Sequence, residues 1–107
     1  MRNSWILWAT CGLATQLILP FPALAQNQAN GETIAKTWCA GCHRIEGDDR
    51  HIGNDAVPTF SSIAQMSSTT QTSLTVFLST PHARMTDYNL TRQEIRDVSA
   101  YILSLRK

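Results

Sequence analysis

Apolar positions along this chain recur at helical spacing, and no stretch shows the two-residue alternation of a strand. The last block is the clearest. Ile95, Val98, Tyr101, Ile102 and Leu105 repeat at threes and fours, which predicts an amphipathic helix of about four turns. Thr91 caps it and Glu94 stands three positions on, the form of a capping box. Arg106 and Lys107 fall where cations favour the C-terminal end of a helix dipole. Further upstream, residues 31–39 have helical composition, with Ile34, Ala35 and Trp38 as a short apolar stripe and Glu32 expected in the first turn. Residues 26–30 are polar and read as a frayed start. Phe60, Ile63 and Ala64 predict a short helix over 60–66, with Met66 expected in its core-facing pattern. Residues 67–70 break it and offer caps for the next, over 73–79, where Leu74, Phe77 and Leu78 share a face and Pro81 ends the run. Residues 44–56 and 81–90 are polar and read as loops. The expected fold is all-α.

The chain has 107 residues, too few for more than one ordinary domain. Its beginning has a different character. Arg2 is the only charged side chain before Glu32, residues 5–19 are mostly apolar, and Pro20 and Pro22 precede Ala23, Leu24 and Ala25. A basic start, an apolar run and an A-x-A end describe a secretory signal peptide. Cleavage is expected after Ala25, leaving 26–107 as the mature domain in the periplasm. The apolar run is shorter than the roughly 20 residues of a membrane span, and Thr10, Gly12, Thr15 and Gln16 interrupt it. A lipoprotein signal would carry Leu where Trp8 stands, so Cys11 is expected to leave with the leader. Without Arg2, the nine basic side chains become eight and equal the eight acidic ones. Such a balance gives no sign of a nucleic-acid partner.

Cys39, Ala40, Gly41, Cys42 and His43 form a C-x-x-C-H motif, the pattern of c-type haem attachment. The spacing follows from the chemistry: each thiol adds to one of two vinyl groups, so both must lie within about one helical turn. His43 then projects from the same turn as the proximal iron ligand. Gly41 between the thiols leaves room for the edge of a macrocycle, or simply ends the helix. An exported chain of this size has little core of its own and needs a staple, which a covalent haem would supply. Pro58 either rigidifies a turn or lends its carbonyl to the second ring nitrogen of His43. For the position opposite His43 the candidates are Met85, His82, Met66 and His51, or no side chain at all. Methionine sulfur is a soft neutral donor that favours ferrous iron, and Met85 lies in a loop free to turn inward.

Gly31, the Cys39–His43 motif, Val57 with Pro58, Met85 and the closing Glu94, Val98, Tyr101 and Ile102 together resemble the small class I mono-haem c-type cytochromes of bacteria. The resemblance covers essentially the whole of 26–107. It implies a bundle of three to five helices around one haem, with the first and last helices crossing near Gly31 and Tyr101. It also implies Pro58 as carbonyl acceptor for His43 and His43 with Met85 as axial ligands. Thr86 follows Met85, where the family commonly has proline. The function so implied is electron transfer between transient redox partners without catalysis, either as a free carrier or as the cytochrome subunit of a periplasmic dehydrogenase. Two rivals are distinct in kind. Trp38, Cys39 and Cys42 are also similar to a thioredoxin-like site, which would require a strand before the motif and a parallel βαβ unit. A haem protein with an open distal side would instead bind gases or peroxide.

Overall fold

A computed structural model describes residues 25–47, 56–81 and 84–107. The expected leader, apart from Ala25, and the histidines His51 and His82 lie outside the described residues. Among these residues four helices run in order: α1 Gln28–Ile34, continued by a π-helical turn Ala35–Cys39, then α2 Phe60–Gln65, α3 Gln71–Leu78 and α4 Arg92–Ser104. No strand occurs among the described residues. The all-α expectation holds.

α4 is the axis of the fold. Its capping box forms as the sequence predicts: the Glu94 N–H donates to Thr91 Oγ1 at 3.2 Å, and the Thr91 N–H donates to Glu94 Oε2 at 2.7 Å. Of the predicted stripe, Ile95, Val98, Tyr101 and Ile102 are buried and Leu105, the C-cap, is partly so, but Asp97, Ser99 and Ala100 are buried as well. A helix enclosed on more than one face sits between layers rather than on a surface. α1, α2 and α3 all pack against it, α1 most extensively. Phe60, Ala64 and Leu74 from α2 and α3 join Ile34, Ala35 and Ile45 against Val98, Tyr101 and Ile102.

The crossing of α1 and α4 is very close. A Cβ at Gly31 would collide with the backbone carbonyl of Asp97 and stand 2.9 Å from the nitrogen of Val98. Only a hydrogen fits there, and backbone cannot rotate aside as a side chain would. The crossing implied near Gly31 is therefore present, centred nearer Asp97 than Tyr101.

Beside that crossing lies a buried carboxylate. Asp97 is 2 % exposed and accepts from the Asn27 N–H at 2.9 Å, Asn30 Nδ2 at 2.8 Å and Gln93 Nε2 at 2.7 Å. Burial alone would raise its pKa, but these donors, with Arg96 nearby, more than offset that and hold it below the usual carboxylate value. This changes the start of α1. The residues read as frayed are ordered: Asn27 caps the helix through Asn30 N–H at 3.0 Å, and α1 begins at Gln28. Glu32 therefore falls in the second turn and pairs with Lys36 at 2.6 Å, both partly exposed. Such a pair contributes about 0.2–0.5 kcal/mol.

Thr59 and Thr70 cap α2 and α3. Two expectations near the C-termini of helices are corrected. Met66 is 47 % exposed, because α2 stops at Gln65 and the backbone at Met66 is extended. Arg106 serves α2 rather than the dipole of its own helix, donating to Ala64 O at 2.9 Å and Thr69 O at 2.7 Å.

Two outcomes follow. Gly31→Ala forces α1 and α4 apart and should lower stability by about 1–3 kcal/mol in denaturant unfolding, the usual cost of overpacking. Asp97, depressed when folded, stabilises the protein above the ordinary pKa of 3.8 and loses that contribution as pH falls below it toward the folded value. Asp97→Asn should thus be less stable than wild type at neutral pH, and the difference should shrink in acid below about pH 4.

Candidate functional site

The π-helical turn delivers the motif. Widening the helix by one residue gives the Ala40 N–H a bond to Ala35 O at 3.0 Å, and the next turn tightens around Cys39, whose carbonyl accepts from Cys42 N–H at 3.1 Å and His43 N–H at 2.8 Å. Such π-turns often occur at functional sites. Cys39 is half-buried and Cys42 exposed. The turn is tied to α2 by the Phe60 N–H, which donates to Arg44 O at 3.1 Å.

His43 is held from two sides. Its Nδ1 lies 2.7 Å from the carbonyl oxygen of Pro58; a carbonyl only accepts, so Nδ1–H is the donor and Nε2 is the ring nitrogen this bond leaves unengaged. Its ring also packs at 5.3 Å on Phe60, which in turn packs at 6.3 Å on Tyr101. This aromatic column links the imidazole to the centre of α4. Tyr101 has its pKa raised, first by burial and then by Glu32 and Glu46, so it remains a neutral phenol at physiological pH.

Cys39, His43, Pro58 and Met85 share one cavity of about 970 Å³. Cys42 lies outside its lining, one turn further along. The walls are largely apolar, with Leu74, Phe77, Leu78 and Ile102 from α3 and α4. The α3 stripe that the sequence predicts thus faces the cavity, which is why Phe77 remains exposed in the polypeptide. Met66 lines the same cavity. Trp38 and Tyr88 meet at its edge with ring centroids 5.4 Å apart. Tyr88 sits in a polar loop, and nothing in that loop's pattern marks it as a cavity residue.

The size of the cavity is near the upper end of ligand pockets. An oriented imidazole, soft thioether sulfurs and a greasy wall suit a flat iron macrocycle. A thioredoxin-like site is a poor match. A helix, not a strand, precedes the motif, and burial with the neighbouring Cys42 pushes Cys39 up to about 11, whereas exchange chemistry needs a lowered thiol pKa. A helical frame with this cavity defines a haem-binding class.

The comparisons name the class more closely. The family model described as cytochrome c matches residues 28–106. Cytochrome c-552 of Bradyrhizobium diazoefficiens is 38 % identical over 84 residues, which cover 78 % of this chain and 80 % of that protein. No solved structure matches. The chain belongs to the cytochrome c family, and with it come covalent haem c and electron transfer to redox partners. Cys39 and Cys42 are consistent with the attachment motif of that family. Among the described residues, no helix is long and apolar enough to cross a membrane.

Alanine at Cys39 or Cys42 alone should leave one unsaturated vinyl in conjugation with the ring. The alkaline pyridine spectrum of either variant should shift to longer wavelength, and the double variant should retain no pigment on a denaturing gel.

Proposed function

We propose that residues 26–107, released from a leader ending at Ala25, act in the periplasm as a one-electron carrier on a haem that His43 and Met85 would ligate and that Cys39 and Cys42 would hold through thioethers. The observation that carries this reading is the 2.7 Å contact between His43 Nδ1 and the Pro58 carbonyl, beside a cavity that Met85 also lines. When bound, the haem supplies an iron that alternates between ferrous and ferric states.

The protein's own residues do the rest. Pro58 fixes the plane of the imidazole and raises its basicity through the shared proton. Its lack of an N–H leaves the carbonyl as the only backbone group it can offer. Phe60 prevents the ring from tilting away. A neutral thioether from Met85 favours the ferrous state and raises the potential. Leu74, Leu78 and Ile102 exclude water, so little rearranges when charge changes. Electron transfer needs contact at the cofactor edge and no substrate pocket, so the protein is read as a carrier and not an enzyme. Partners would dock briefly through small, wet interfaces.

Met85→Ala tests the ligand assignment in the exported protein. The weak methionine-to-ferric-iron band at the red end of the spectrum should vanish and the potential should fall. An unchanged band would remove Met85 from the iron. N-terminal sequencing of the same sample should begin at Gln26.

A further inference from the structure

Beyond the end of α4, the guanidinium of Arg106 gathers three carbonyls. Nε donates to Ala64 O at 2.9 Å, and Nη2 donates to Thr69 O at 2.7 Å and more weakly to Met66 O at 3.4 Å. These oxygens belong to the end of α2 and the turn after it, where the last carbonyls of a helix run short of intrahelical donors. A planar fork of five donors satisfies several of them at fixed angles, which a single ammonium does not. The same turn is a wall of the cavity, lined by Met66, Ser68 and Thr69. Thr69 is buried and tightens the turn further, its hydroxyl donating to Ile63 O at 2.7 Å and its N–H to Met66 O at 3.0 Å. A second tie joins the same two segments without touching the turn: Gln65 Nε2 donates to Leu105 O at 3.1 Å.

We propose that Arg106 is a positioning residue for the haem cavity, holding the 66–69 turn closed so that this wall stays dry. The proposal rests on haem c occupying the cavity. Water admitted past a loosened turn stabilises the more highly charged ferric state, so the reduction potential falls. Arg106 acts through the turn, and its effect is separable from plain stability because Gln65 offers a matched bond elsewhere.

The test uses the haem-loaded protein and three variants, Arg106→Ala, Arg106→Lys and Gln65→Ala, with amide hydrogen exchange and redox titration as readouts. Both Arg106 variants should speed exchange at the Thr69 N–H by about tenfold, the scale of losing one charge-assisted bond. Both should also shift the ferric-to-ferrous ratio at fixed potential by about tenfold toward ferric, or about 59 mV for one electron. Gln65→Ala should leave both readouts near wild type. Wild-type potential in Arg106→Lys would make charge the cause and overturn the proposal. So would an unchanged potential in Arg106→Ala with pigment still bound. Wild-type protein without covalent pigment would instead overturn the cytochrome reading itself.

Discussion

The fold depends on how closely two helices approach. At Gly31 the backbone of α1 rests directly on the backbone of α4, with no room for a methyl group between them. Contact at that range aligns α1 rigidly, and α1 runs unbroken into the π-helical turn and then the motif. The position of Cys39 and His43 is thus set from the far end of the helix. Asp97 secures the arrangement beside the crossing, binding the Asn27 N–H and the Asn30 amide to α4. A small protein places a reactive segment this way when it lacks mass to surround it.

Much of this was legible in the sequence, for local reasons. The capping box at Thr91 and Glu94, the α4 stripe and the cysteine motif each depend on residues within a few positions, so spacing alone reveals them. Pro58 as acceptor for His43 was one of two open readings and is the contact found. The start of α1 was not legible, because what orders residues 27–30 is a carboxylate some seventy positions away. Asp97 gave no warning: an acidic residue inside a helix normally faces water, and only its partners in space make burial tolerable. Arg106 and Met66 misled for a related reason. A cation after a helix suggests its own dipole, and a methionine at helical spacing suggests core, until the neighbouring turn claims both.

The apolar residues divide their work between two interiors. Ile34, Ala35, Ile45 and Ala64 pack on protein alone, while Val98 and Ile102 meet both the protein core and the cavity. Phe77, Leu78 and Met66 face a cavity that the polypeptide leaves for its cofactor. A core divided in this way explains why α3 exposes Phe77 although its sequence pattern is amphipathic. Cofactor and chain complete each other's burial, so covalent attachment and final packing are parts of one process.

Trp38 carries a separate consequence. Of the three tryptophans, two belong to the expected leader, and the third stands on the cavity wall against Tyr88. An indole beside a strongly absorbing ring passes its excitation to that ring and emits almost nothing. The native protein should therefore be nearly dark under ultraviolet excitation, and light returns only as this wall separates from the pigment. One built-in fluorophore can follow the opening of the cavity in real time, without any label.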